Sequence, residues 1–205
     1  GLTGTNYTNV ISLLENKEEY QFNVISAPGL VYANTTNQKA ALDNLISLAE
    51  TRGDCIAIID LVNYNANIGT VTTQAATINS SYAASYWPWV QMNSDAGLQY
   101  APASVVIPGV YAFNDNSAAP WFAPAGLVRG GITGVIQAEK RLTRTQRDTL
   151  YTDKVNPIAS FPGQGIVVFG QKTLQSAKSA LDRVNVRRML LDVKETISGF
   201  ADSVL

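Results

Sequence analysis

The 205-residue chain contains no histidine and a single cysteine, Cys55. The absence of histidine excludes Ser-His-Asp and Cys-His catalysis, histidine-ligated zinc sites, and acid–base chemistry by an imidazole. One cysteine allows neither an internal disulfide nor a cysteine cluster that could hold a metal. Because Cys55 lies in the apolar run CIAII, we expect its thiol to be a small buried apolar group without reactivity.

Charged residues are also scarce, at 15% of the chain, with 15 lysines and arginines against 16 aspartates and glutamates. No basic stripe is present that would neutralise a phosphate backbone, so we expect no nucleic-acid partner. No apolar run approaches the ~20 residues of a membrane span, and the beginning of the chain is not typical of a signal peptide. We therefore expect no membrane partner. Because Gly1 is not preceded by methionine, we expect a processed or trimmed piece.

What the chain does contain is a core-forming sequence, since 46% of its residues are hydrophobic. Helical and strand patterns alternate along its first two thirds, and the continuous apolar run at 55–59 is typical of a strand covered on both faces. This alternation predicts an α/β fold with a mainly parallel sheet flanked by helices. The predicted helices in this part are 7–16, 37–54 with Gly53 as C-cap, 69–81, and 106–115 with Pro108 in its first turn; the predicted strands are 20–29, 55–59 and 82–92.

The pattern changes after the segment APWFAPAGLVRGG, residues 119–131. An extended stretch at 134–142 precedes TRTQ, where Thr143 and Gln146 can form a capping box, and a strand is predicted at 165–174. The last helix carries an apolar stripe that consists of Val186, Met189, Leu190, Val193, Ile197, Phe200 and Val204. We therefore predict an α/β domain at 1–125 and the first part of an α+β domain at 126–205.

Known catalytic and cofactor motifs are missing. The chain has no phosphate-binding loop and no G-x-S-x-G nucleophile elbow. GQGIVVFG at 163–170 has the wrong glycine spacing for a dinucleotide site and opens a strand. Asp54 and Asp60 flank the strand at 55–59, and Asp60 stands at the carboxyl end, where ligand sites of α/β folds lie. A carboxylate pair or a metal role is one interpretation; a strand-end carboxylate that accepts backbone hydrogen bonds is the favoured one.

Two further groups of residues have open interpretations. SYWPWV at 85–90 is either a stacking platform for sugars or bases or, without interleaved basic residues, a packing element. Four arginines near the end of the chain either bind an anion or form salt bridges between elements: Arg147, Arg183, Arg187 and Arg188. We assign no catalytic, cofactor-binding or metal-binding residue.

The order of four motifs resembles the contractile tail sheath proteins of T4-like bacteriophages. The motifs are PGVYAFNDNSAAPWFAPAGLVRG, TRTQRDTLYTDKVNPI, GIVVFGQKTL and DRVNVRRMLLDVKETI, and together they cover roughly residues 100–200. The GLTG start, the ISAPG turn and the YWPWV strand are similar but less specific. From the resemblance, we expect the chain to lack the family's upstream N-terminal arm and to stop inside the C-terminal domain.

The resemblance implies a structural protein and no enzyme. A sheath subunit would stack in hexameric rings around a tail tube, above a baseplate, and contraction would drive the tube through the host envelope. The family's central domain has a subtilisin-like topology without a protease triad, which agrees with the absence of histidine. A non-viral contractile injection system and, more remotely, a metal-dependent hydrolase using Asp60 are the alternatives.

The resemblance also gives the segment at 119–131 a role as a stiff joint between the two domains. Prolines would stiffen it, its glycines would allow close backbone packing, and Trp121 and Phe122 would insert into a core. On that basis Trp121→Ala is predicted to cost roughly 3–5 kcal/mol of stability. Without strand-exchanging arms, we expect the isolated chain to be a monomer in solution.

Overall fold

The computed structural model describes residues 4–204, and the side chains of residues 6–201. The helices are α1 (Gly4–Leu13), α2 (Thr36–Arg52), α3 (Ile68–Ala76), α4 (Ile107–Ser117), α5 (Gly126–Arg129), α6 (Arg144–Thr152) and α7 (Val184–Val204). The strands are β1 (Val24–Ser26), β2 (Ile56–Ile58), β3 (Ala83–Ala84), β4 (Tyr86–Trp87), β5 (Val90–Ser94), β6 (Gly97–Ala101), β7 (Val135–Ala138), β8 (Asn156–Phe161) and β9 (Gly165–Val168). Residues 1–3 of the GLTG start lie outside the described residues.

A parallel sheet of order β1-β2-β3 forms the first part of the fold. Its central strand β2 is buried on both faces, as the apolar run at 55–59 predicts, and no residue of it is more than 1% exposed. Because α2 and α3 connect these parallel strands, the α/β prediction is confirmed.

The ends of α2 follow directly from the sequence. The Thr35 side chain accepts a hydrogen bond from the Gln38 amide at the first turn. Gly53 ends the helix with φ +63°, and its amide donates to the Ala49 carbonyl. Since a side chain at that φ is strained, the predicted glycine cap is confirmed with its physical reason.

Two further sheets contain the antiparallel pairings. One has the order β4-β8-β9, with β4 and β8 parallel and β8 and β9 antiparallel. The other has the order β6-β5-β7 and is antiparallel throughout. The single strand predicted at 82–92 is wrong, because the chain there divides into β3, β4 and β5, each in a different sheet.

Packing joins the two predicted domains. Residues from both sides of position 125 share one apolar cluster, in which Leu42 and Ala57 are joined by Leu150 and Leu174. The Leu174 amide also donates to the Ala83 carbonyl at the edge of β3, 2.8 Å away. The boundary between 125 and 126 stays a prediction.

The remaining predicted helices are found in place, and the short helix α5 was not predicted. Pro108 lies in the first turn of α4, and Thr143 and Gln146 form the complete capping box of α6. The first helix buries only part of its apolar side chains. Ile11 is buried, whereas Val10 and Leu13 are 53% and 63% exposed.

Candidate functional site

Asp60 is a buried carboxylate at the carboxyl end of β2. It accepts a hydrogen bond from the Ser104 amide at 3.1 Å and another from the Ser104 hydroxyl. Burial raises the pKa of Asp60 from 3.8 to about 6, and the two hydrogen bonds offset part of that rise. The favoured interpretation, a strand-end carboxylate that accepts a backbone hydrogen bond, is confirmed. With 4% exposure, Asp60 has little access to a substrate.

Asp54 serves a different purpose, as the partner of a buried arginine. The Arg52 guanidinium donates to both carboxylate oxygens of Asp54, at 3.0 and 2.7 Å, and to the carbonyls of Leu14 and Tyr20. The Phe22 ring covers it, with its centroid 4.2 Å from the guanidinium carbon. Arg52 therefore fastens the segment between α1 and β1 to the end of α2, a role that the sequence analysis missed.

Cys55 is fully buried beside this ion pair. Burial and, secondarily, the negative charge of Asp54 raise the pKa of the thiol to about 12. A thiol that stays protonated at neutral pH is a poor nucleophile, so the predicted inert role is confirmed.

The aromatic segment at 85–90 is largely packing. Tyr86 and Trp87 are buried, and Tyr86 lies within hydrogen-bonding distance of Tyr111. The Trp89 indole donates to the Val62 carbonyl at 3.0 Å. These contacts favour the packing interpretation over a stacking platform for ligands.

Each of the four arginines has its own partner within the protein. Arg188 forms the salt bridge between elements that the sequence analysis considered, to Asp115 of α4 at 2.5 Å. Arg187 stacks on Tyr82, and Arg147 lies over the rings of Phe161 and Phe169.

Arg183 contacts the Tyr151 hydroxyl and pairs with the adjacent Asp182 at 3.1 Å. The glycine-rich stretch at 163–170 contains the turn and the second strand of the β8–β9 hairpin. It therefore does not open a helix, which a dinucleotide site requires.

The segment at 119–131 differs from its prediction in one respect. Trp121 and Phe122 are 49% and 42% exposed, so the expectation that they insert into a core is wrong. The predicted close backbone packing is found at Gly130, where an added Cβ would lie 2.5 Å from the Val168 carbonyl oxygen. The side-chain amide of Asn114 holds the segment by donating to the carbonyls of Ala119 and Phe122.

The stripe on α7 is largely exposed to solvent. Val193, Ile197 and Phe200 are 43%, 62% and 68% exposed, and Val204 lies outside the residues whose side chains are described. An open groove of about 620 Å³ lies elsewhere, between α4, β7 and β9. Its lining includes Val110, Phe113, Ile132 and Ile166, and none of its lining side chains is ionisable. Both surfaces suit packing against protein more than acid–base chemistry.

Among the side chains of residues 6–201 no three acidic or cysteine groups lie together so that they could hold a metal ion. Across the same residues, none of the helices combines the length and apolar character that a bilayer crossing requires.

Comparison with known proteins places the chain in a family. Residues 1–174 match the model of the phage tail sheath protein central domain. The chain is 37% identical to the tail sheath protein of Vibrio phage KVP40 over 145 residues, and 31% identical to that of Enterobacteria phage T4 over 178 residues. These stretches are 71% and 75% of this chain but 20% and 26% of the relatives, so the chain spans a minor part of their length.

A solved structure shows the same fold. It is the helical sheath of the anti-feeding prophage in its contracted state, with a TM-score of 0.73 and 22% identity. The match covers 100% of this chain and 54% of that one. Because the central-domain model matches most of the chain and continues across residue 125, the chain belongs to the phage tail sheath protein family.

Proposed function

We propose that the chain is the central part of a structural subunit of a contractile phage tail sheath. Copies of the subunit would polymerise around the tail tube, above the baseplate. Contraction would then drive the tube through the host envelope for genome ejection. The protein would be assembled in the host cytoplasm and belong to the virion. The observation that carries this proposal is the central-domain match over residues 1–174, with phage sheath proteins at 31% and 37% identity.

The side chains support a role without catalysis. The buried carboxylate of Asp60 is satisfied by Ser104, and Asp54 neutralises Arg52. The Cys55 thiol is buried, and the groove beside α4 carries no ionisable lining. Asp60, Asp54 and Cys55 are thus used in packing, as a force-transmitting body requires.

Electron microscopy of the complete gene product that contains these residues tests the proposal. We expect tubes of regular width with a helical surface lattice. A variant with Ile56→Asp, which places a charge in the buried strand β2, should form none and serves as the control. Dispersed particles from a folded parent protein would contradict the proposal.

A hydrolase screen with and without divalent metal tests the enzymatic alternative. We expect no turnover from the parent or from Asp60→Ala. Robust turnover that Asp60→Ala abolishes would overturn the structural role. A non-viral injection device is also compatible with the fold, since the anti-feeding prophage sheath shares it. The gene neighbourhood distinguishes that alternative, because a phage sheath gene lies among capsid and tail genes.

A further inference from the structure

The near-neutral net charge of the chain conceals a strong separation of charge along it. Residues 140–188 contain ten of the 15 lysines and arginines but only three of the 16 aspartates and glutamates. The rest of the chain therefore carries five cationic and 13 acidic residues. Folding brings part of each group to a separate surface.

The first surface, here named the basic face, surrounds Tyr151 of α6. It consists of Arg144, Lys154, Lys172, Lys178 and Arg183, of which Lys154 donates to the Ile78 carbonyl and the Ser176 hydroxyl. Arg144 and Tyr151 lie two turns apart on one side of α6, and Lys172 and Arg183 both lie against the Tyr151 ring, at 4.7 and 5.5 Å from its centroid.

The carboxylates near the basic face do not neutralise it. Arg144 is 89% exposed, and its contact with Asp148 measures 4.0 Å. Arg183 pairs with Asp182. Burial and then the positive charge of Arg183 lower the pKa of Lys172, Lys178 adds to this effect, and Asp182 and Asp153 oppose it. The five cations of the face outnumber the three carboxylates Asp148, Asp153 and Asp182, so its net charge is positive.

The second surface, here named the acidic corner, consists of Glu15, Glu18, Glu19 and Glu195. The first three are exposed on the segment that follows α1, and Glu195 of α7 lines the same cleft as Glu18. None of the four takes part in a salt bridge within the described part of the chain.

Two lysines, Lys17 and Lys194, line the same cleft as Glu18 and Glu195. Lys17 donates to the Arg52 carbonyl, and the Lys194 ammonium lies against Gly53 at the end of α2. Four carboxylates against these two ammonium groups leave the corner with a net negative charge.

The two surfaces are too far apart to neutralise each other within one molecule. The basic face adjoins the start of α7, where the Val184 amide donates to the Gln171 carbonyl, and Glu195 lies eleven residues further along. At 1.5 Å per residue this separation is about 16 Å. The Debye length at physiological salt is only about 8 Å.

We propose that the basic face of one copy of this chain contacts the acidic corner of the next copy in the sheath. A contact between two different surfaces of identical subunits is head-to-tail, and repeating it builds a ring or a helical array. The inference rests on the proposed function, because a sheath presents copies of the subunit to each other in one repeated orientation. Exposed charge pairs are worth only about 0–1 kcal/mol each, so such a contact can break and re-form as subunits move.

Light scattering on the 205-residue chain tests the contact without requiring tubes. The second virial coefficient would be measured at about 0.01 M and about 1 M salt, where the Debye length is ~30 and ~3 Å. We expect attraction between parent chains at low salt that disappears at high salt. Arg144→Glu combined with Lys178→Glu should abolish the attraction, and so should Glu15→Lys combined with Glu18→Lys.

Mixing the two reversed variants restores complementary surfaces, so attraction should return in the mixture. Control variants with the same net charge are Lys39→Glu with Arg129→Glu, and Asp43→Lys with Asp95→Lys. Their mixture accounts for the general attraction between oppositely charged proteins. Thermal melts confirm that each variant is folded.

Equal behaviour of the two mixtures would overturn the proposal, and so would attraction in the parent that does not depend on salt. Loss in the reversed variants without recovery in the mixture would assign the basic face to a different acidic partner and also overturn it. Tube formation by the complete gene product is independent of these outcomes, so failure of this contact is distinguishable from failure of the proposed function.

Discussion

Asp60 shows how one buried side chain makes stability depend on pH. Its pKa in the folded protein, about 6, lies above the ordinary value of 3.8 because the carboxylate is buried. The folded protein therefore binds this proton more tightly than the unfolded chain, and lowering the pH through 6 favours folding. Relative to Asp60→Asn, the parent should gain about 1 kcal/mol in the free energy of unfolding between pH 7 and pH 5. Denaturant titrations at both pH values measure the difference, and parallel pH dependences would contradict it.

Removal of the Arg52 side chain should be costly, because its buried guanidinium is bonded to Asp54 and to main-chain carbonyls. Arg52→Met leaves the Asp54 carboxylate and two carbonyls without their donor, so we expect a loss of about 3–5 kcal/mol in stability. Lys39→Met removes a half-exposed pair with Asp43 and should cost less than about 1 kcal/mol. Chemical denaturation of both variants checks the contrast. Equal losses would show that the guanidinium does not fasten the segment that follows α1.

Trp121 illustrates what residue type alone does not determine. A large aromatic between prolines suggested a core side chain, but burial depends on which elements meet around it, and here the side chain is 49% exposed. We now expect Trp121→Ala to cost less than about 1 kcal/mol, because half of the side chain is already in solvent. Tyr111→Ala, which empties a site with 1% exposure, should cost about 3–5 kcal/mol. Thermal melts of the two variants separate these expectations.

At the scale of helices and strands, the reliable predictions came from patterns within a few neighbouring residues. In the capping box of α6, the Thr143 hydroxyl accepts from the Gln146 amide, and the Gln146 side chain accepts from the Thr143 amide. Thr143→Ala should therefore destabilise the protein by about 1 kcal/mol. Thr145→Ala, an exposed position inside the same helix, should cause no loss. Hydrogen exchange of the α6 amides measures both, and equal protection in the two variants would contradict the prediction.

The helix caps, the apolar strand β2 and Pro108 at the start of α4 could be predicted because their causes lie within a few residues. The hairpin of β5 and β6 was missed since its strands carry polar residues such as Gln91 and Gln99, which obscure the alternating pattern. Its turn did leave a signal in Gly97, where φ is +93°. The division of 82–92 among three sheets could not be predicted, because it depends on partners as distant as β8.

At the scale of the molecule, the near-zero net charge of the whole chain was misleading. Nearly equal numbers of acidic and basic residues, 16 and 15, suggested a surface without electrostatic character, but the positions of those residues put the charges into two separate regions. A count taken along the chain would have shown the asymmetry. Their placement on separate surfaces needed the fold, because Tyr151 gathers cations from segments about 20 and 30 residues away.

The isolated 205-residue chain should sediment as a monomer of 22.0 kDa at physiological salt. Stable complexes bury about 1,200–2,000 Å², and the exposed stripe of Val193, Ile197 and Phe200 offers only a fraction of that area. The contact between the basic face and the acidic corner is screened at this salt concentration and produces weak attraction instead of a lasting complex. In a sheath, each copy would repeat such contacts with fixed neighbours, so the small free energies of many weak contacts would add up. Sedimentation velocity over a wide concentration range decides the matter, with Ile197→Gln combined with Phe200→Gln as the control for association through α7. Stable hexamers or tubes from the parent chain alone would show that these surfaces suffice for assembly.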